Sequence, residues 1–165
     1  MGLFSFQVTG VDETLKGLTS VLGNVQDLTP FWRDVWAPRY FAVVQDLFNT
    51  SGSARGAMGR FTSGPWARWS PKYAVWRKQN APGGSILTLS GRLRESLRWS
   101  GAGLGPEGYF EATPTSVEFG TTVPYARFHQ YGTSKMPARP FLPTPNAAVF
   151  MPLLQQWILK TQAGS

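Results

Sequence analysis

Tyr109-Phe-Glu-Ala-Thr-Pro-Thr-Ser-Val-Glu-Phe119 decides the class of this chain. Its halves, Tyr109–Thr113 and Ser116–Phe119, alternate apolar with polar residues, and Pro114-Thr115 sits between them, so the pattern predicts a β-hairpin. Working outward, residues 3–11 alternate in the same way and put Phe4, Phe6 and Val8 on one side of a strand. Asp12 then stands at an N-cap position ahead of Leu15, Leu18, Leu22 and Val25 at helical spacing. Thr29-Pro30 opens a second helix, which carries Trp32, Val35, Trp36, Tyr40, Val43, Val44 and Leu47 to about residue 49. Pro38 lies inside it and removes the bond to the Asp34 carbonyl, which predicts a kink.

Ser70-Pro71 starts a short helix to about Gln79, and Leu89, Leu93 and Leu97, four apart, make part of 86–97 helical. Beyond the hairpin, Val123 to Gln130 reads as a short helix stopped by Gly132. Residues 137–142 are extended, because each proline drives the residue before it out of the helical region. Thr144-Pro145 opens a last amphipathic helix with Val149, Phe150, Leu153, Leu154, Trp157 and Ile158, and Pro152 either kinks it or marks its start. Residues 50–64 have no periodicity and many small residues, as in a long flexible loop or arm. The expectation is a single α+β domain over 1–165: a small mixed or antiparallel sheet packed against long N-terminal helices and a C-terminal helix.

With 165 residues, 42% of them hydrophobic, the chain suffices for one core and is short for two. It contains no cysteine, which excludes disulfides, thiolate catalysis and Cys-based metal sites. No window approaches a membrane span, and the N-terminus lacks a charged leader, so neither a membrane partner nor a signal peptide is expected. The net charge of +7 is uneven: residues 55–98 hold nine Arg or Lys against the single acid Glu95. Such a segment attracts polyanions or acidic protein faces, or simply solubilises the surface.

Three motifs invite chemistry and do not sustain it. Gly103-Leu-Gly-Pro-Glu-Gly108 matches a dinucleotide fingerprint in form, but Pro106 deletes an amide, Glu107 brings the wrong charge, and a strand follows instead of a helix. It reads as a loop flanking the hairpin. His129 is the only histidine, with Arg127, Gln130 and Tyr131 around it and no ligand or relay partner nearby in sequence. Backbone bonding or packing on Tyr125 and Tyr131 suits it better. Glu111 and Glu118 fall at the polar positions of strands, as on a solvated sheet face. A fourth feature is a true rival: Trp66, Trp69, Trp76 and Trp99 interleave with Arg60, Arg68, Lys72, Arg77, Lys78, Arg92, Arg94 and Arg98. Rings and cations so mixed stack bases and neutralise phosphates, or anchor protein contacts.

Pro124-Tyr-Ala-Arg-Phe-His-Gln-Tyr-Gly-Thr133, then Met136-Pro-Ala-Arg-Pro-Phe-Leu142, carries a resemblance, joined by Phe61-x-x-x-x-Trp66-x-x-Trp69-Ser-Pro71-x-Tyr73-Ala74 and Ile86-Leu-Thr-Leu-Ser-Gly-Arg-Leu-Arg-Glu-Ser-Leu97. These blocks, in this order over roughly 58–142, resemble the tail-completion or virion-morphogenesis family of tailed bacteriophages. The resemblance implies a structural virion protein in the neck or upper tail, assembled in the bacterial cytoplasm. It would form a ring, expected to be hexameric, at the head–tail joint or upper tail end, for tail completion and head–tail joining. Implied partners are copies of itself, a tail-tube or tail-terminator protein, and connector or head-closure proteins, with DNA passing through the lumen without specific recognition. No catalytic residue, metal or cofactor is implied. The expected contact residues are Arg55, Arg60, Phe61, Trp66, Arg68, Trp69, Tyr73, Tyr125, His129, Tyr131, Arg139 and Phe141. Arg139→Ala or Trp69→Ala is expected to leave a folded monomer that assembles poorly. The alternatives are a tail-tube terminator, a nucleic-acid-binding protein using 55–98, and, least favoured, an enzyme acting on cell wall or nucleic acid.

Overall fold

The computed structural model describes residues 4–8, 27–53, 65–144 and 147–163. The helix expected after Asp12 and most of the arm at 50–64, with Arg55, Arg60 and Phe61, lie outside the described residues.

The hairpin is as the alternation predicts. Strands β2 (Gly108–Ala112) and β3 (Val117–Thr121) pair antiparallel, and β1 (Phe4–Val8) pairs antiparallel with the other edge of β3, giving the order β1-β3-β2. Register puts Phe6, Phe119 and Phe110 side by side across the sheet, and Gln7, Glu118 and Glu111 in the next row. Successive residues of a strand face opposite ways, so in β2 and β3 the rings of Phe110 and Phe119 and the carboxylates of Glu111 and Glu118 occupy opposite faces.

A long helix crosses the aromatic face. It begins at Thr29, runs as π-helix over Phe31–Trp36 and continues as α1 (Ala37–Thr50). Ahead of Pro38 the helix takes this wider turn: the Ala37 amide reaches back to the Trp32 carbonyl, five residues away. That register leaves Pro38 in the first turn of α1, where a missing amide costs little. Trp36 and Tyr40 stack at 4.6 Å, and both rings and Phe41 pack on Phe119. Trp32, Trp36, Tyr40, Phe41, Phe48 and Phe119 are all fully buried, so the largest side chains of the core are mostly rings. The Tyr40 hydroxyl donates to the Pro143 carbonyl at 2.8 Å, and burial pushes its pKa well up.

The other helices are shorter. Pro71–Asn80 forms α2, with Ser70 as the N-cap that Ser-Pro predicts: its hydroxyl accepts from the Tyr73 amide. Arg92–Ser96 is the only helical part of 86–97, and it forms α3. The helix expected to include Leu89 starts later because Gly91 takes a left-handed conformation and opens it there; Leu93 and Leu97 are buried and Leu89 is exposed. Gln45 of α1 donates to the Arg94 and Leu97 carbonyls at 3.1 Å each, which fixes α3 on the long helix. The false dinucleotide motif has a packing explanation here. A Cβ on Gly105 or Gly108 would lie 2.1 Å from the Glu95 or Ser96 carbonyl oxygen, so this loop lies against the end of α3 only with glycine at both positions.

Ala126–Tyr131 is α4, ended at Gly132 as predicted, and residues 137–142 are non-helical. The C-terminal helix α5 spans Ala147–Ala163, with Pro152 inside it and not at its start. Phe150 packs on Phe31 and stacks on Trp32, and Trp157 packs on Phe31, so α5 closes the core over the π turn. The result is the α+β domain that the sequence predicts.

Candidate interface

The two halves of the His-Gln-Tyr-Gly and Pro-Ala-Arg-Pro-Phe-Leu block form one folded unit, and Gln130 makes it so. Its buried amide accepts from the Phe141 and Leu142 amides at 3.0 and 3.1 Å and donates to the Leu142 carbonyl at 2.9 Å. One side chain thus supplies the bonds a neighbouring strand would supply, and residues 139–142 are held in extended form without joining the sheet. The Arg139 amide adds a bond to the His129 carbonyl at 2.6 Å. Sequence reading passed over Gln130, although an amide between rings and ahead of a proline-rich extended segment has the donors and acceptor for such a clamp.

The same segment is fastened to residues 66–68. The Trp66 indole donates to the Pro140 carbonyl at 2.8 Å, and the Arg139 guanidinium donates to the Ala67 and Arg68 carbonyls at 2.9 and 3.2 Å. Trp66, Arg139 and Phe141 are buried, with Phe48 in contact with both rings. Trp66 and Phe141 are internal, behind the surface they were expected to form, whereas Arg139 is buried and still reaches the cleft described next. Arg139→Ala would leave the Ala67 and Arg68 carbonyls without this donor, so the folded monomer expected of that variant should be less stable than the parent.

In front of this scaffold lies a cleft of about 730 Å³. Of the expected contact residues, Arg68, Trp69, Tyr73, Tyr125, His129 and Arg139 line it together. Tyr131 is exposed on α4 and is not among the lining residues. Among the described residues, Arg77 and Lys135 also line the cleft and bring its cations to four, while no carboxylate does. Arg77 carried no special signal beyond its place four residues after Tyr73, which puts both on one side of a helix. Leu87 in the cleft wall has a left-handed backbone (φ 66°), a conformation that costs a residue with a Cβ about 1 kcal/mol.

The rings here are arranged differently from those of the core. Trp69 meets Tyr73 edge-on and Tyr73 stacks on Trp76 at 5.6 Å, yet Tyr73 and Trp76 are 38% and 44% exposed. Most of α2 faces solvent; Arg77 is its one buried residue. His129 packs edge-on against Tyr125 at 5.8 Å, and its Nδ1 is buried without a hydrogen-bond partner. Burial, then the neighbouring Arg139, lowers its pKa below 6.5.

Much of the remaining basic segment serves the fold. Trp99 stacks on Phe41 at 5.9 Å, Arg92 pairs with Glu107, and Arg98 pairs with Glu95. Arg94 donates to Gln45. On the outer sheet face Glu111 lies directly opposite Glu118, an arrangement that weakens a strand pair, and the Tyr109 hydroxyl donates to Glu111. That bond pushes the Tyr109 pKa up to about 12. Among the described residues, no group of three or more His, Cys, Asp or Glu could hold a metal ion, and no helix is long and apolar enough to cross a membrane.

The described residues thus form a small α+β domain with a cationic, ring-lined cleft. The chain belongs to the phage virion morphogenesis family, whose profile matches residues 53–149, more than half of its length. The matched span contains α2, α3, the hairpin, the Gln130 clamp and the whole lining of the cleft. Comparison with curated proteins and with solved structures gives no significant match.

Proposed function

We propose that this protein is a structural, non-enzymatic virion subunit that assembles as a ring, six copies in our reading, at the head–tail joint or upper tail end. There it serves tail completion and head–tail joining. The observation that carries the proposal is the α2 surface: stacked, solvent-facing Tyr73 and Trp76 beside a cleft whose cations have no carboxylate among them. Exposed rings next to unneutralised cations are costly in isolation and favour contact with another surface. The acidic row of Glu111 and Glu118 is of opposite charge, and a ring needs two different, complementary faces on each copy. Family membership supplies the setting.

A nucleic-acid reading has less to work with. Of its four interleaved tryptophans, Trp66 is buried and Trp99 is packed in the core, while Arg92 and Arg98 are paired with acids. The deciding experiment is complementation of a phage lacking this gene with a Tyr73→Ser/Trp76→Ser double variant. Both side chains are exposed, so stability should change by no more than about 0.5 kcal/mol each. Unjoined heads and tails in electron micrographs, with a folded variant, are expected; normal particle yield would overturn the placement.

A further inference from the structure

We propose that the cleft is a receptor for a carboxylate-bearing segment of a partner protein, with the Arg77 guanidinium at its floor pairing with the carboxylate. The source of that segment, a neighbouring virion protein, rests on the assembly reading above. The chemistry of the site stands on the cleft alone.

Arg77 is 4% exposed, and its side chain makes no hydrogen bond or ion pair among the described residues. None of its nitrogens is a buried atom without a partner, so the guanidinium opens on the cleft with its donors free for a ligand. Its geometry is set before any ligand arrives. The guanidinium lies over the Trp69 ring, 5.2 Å from its centroid, and one terminal nitrogen sits 3.0 Å from where a Cβ on Gly84 would be. Gly84 has φ +81°, and the loop it begins is tied down where the Thr88 hydroxyl donates to the Ser85 carbonyl and the Ser85 hydroxyl to the Phe48 carbonyl. A cation–π contact of this kind uses none of the guanidinium's N–H donors in a hydrogen bond and leaves them for a ligand.

Among the described residues, the lining contains no acid that could fill this role from within. Glu95 and Glu107 are held by Arg98 and Arg92, and Glu111 accepts from Tyr109. His129 Nδ1, on a residue that lines the cleft, is a buried polar atom without a partner. Trp69, Tyr73, Tyr125 and Leu87 supply apolar walls for the groups flanking an acid. The depth of the cation favours protein over nucleic acid. A glutamate side group or the terminal carboxylate of a polypeptide reaches a buried guanidinium on a slim stem, where the two oxygens match its fork. A phosphodiester is flanked on both sides by sugars and pairs with cations exposed along a groove.

The single histidine gives a direct readout, because its ring proton resonances report on the cleft without assignment ambiguity. Hexaglutamate, hexathymidylate and inorganic phosphate are titrated into the full-length protein. The expected result is a saturable shift of the His129 signals with hexaglutamate, weakened about tenfold in Arg77→Gln and about twofold in Lys135→Gln on the exposed rim. Arg77→Lys, which keeps the charge and loses the fork, is the second variant should Arg77→Gln fail to fold, and it should also bind several-fold more weakly. No shift with hexaglutamate, unchanged binding in the Arg77 variant that folds, or hexathymidylate or phosphate binding as tightly as hexaglutamate would each overturn the proposal. Particle complementation reads the other layer separately. Peptide binding with normal particles from the Tyr73/Trp76 variant removes the assembly reading alone, and a particle defect without peptide binding removes the receptor alone.

Discussion

Trp36, Tyr40 and Phe41 along the long helix and Trp69, Tyr73 and Trp76 around the short one are both runs of contacting rings, on helices opened by Thr-Pro and Ser-Pro. Around the first set lie Phe119, Phe110 and Trp99, and the rings are sealed. Around the second lie Arg68, Arg77, Lys135 and Arg139, and two of the rings face solvent. Aromatic content therefore does not separate core from surface in this protein. The company of the rings does: apolar neighbours at helical spacing make a core, and interleaved cations leave a face that stays open.

The difference can be put under load. Phe41→Ala should cost about 3–5 kcal/mol, since a fully buried ring touching five other rings leaves a void that its neighbours cannot fill. Urea unfolding measures it, and a cost below about 1 kcal/mol would mean that the ring core is not the stabilising layer. Next in size is Gln130→Ala, which strands two amides and a carbonyl. A loss of about 3 kcal/mol is expected, with faster amide exchange confined to 139–142 if the clamp opens locally.

The smallest effect is a pH dependence. The His129 pKa is lower in the folded protein than unfolded, so below about 6.5 the unfolded form takes up a proton first. Stability should then fall as pH drops from there toward the folded pKa, and His129→Gln should flatten that part of the curve. Denaturation midpoints between pH 7.5 and 5 test this; identical slopes in both proteins would remove His129 from the account.

Much of the fold was legible because its signals are local. Ser70-Pro71 caps α2, Gly132 ends α4, and period-two alternation gives β2 and β3, all without help from distant residues. The π turn was not legible, because Pro38 only requires that its missing amide be accommodated, and packing of Phe31 and Trp32 under Phe150 and Trp157 accompanies the solution found. For the site, the blocks at 66–74 and 124–142 were seen to belong together, and the structure brings them into contact. What the sequence could not divide was scaffold from surface. Trp66 and Arg139 look identical in composition to Trp69 and Arg68, and only the bonds to Pro140, Ala67 and Arg68, 71 to 74 residues distant, bury the first two.

The phenol of Tyr40 sets a ceiling on the conditions this protein tolerates. Its hydroxyl is sealed in the core with one carbonyl as company, so the native fold holds the proton far more tightly than the unfolded form does. Above about pH 10 the unfolded form sheds that proton first, and each further step toward alkali favours it. A residue with no part in any contact surface thereby limits how basic a medium the whole subunit can survive.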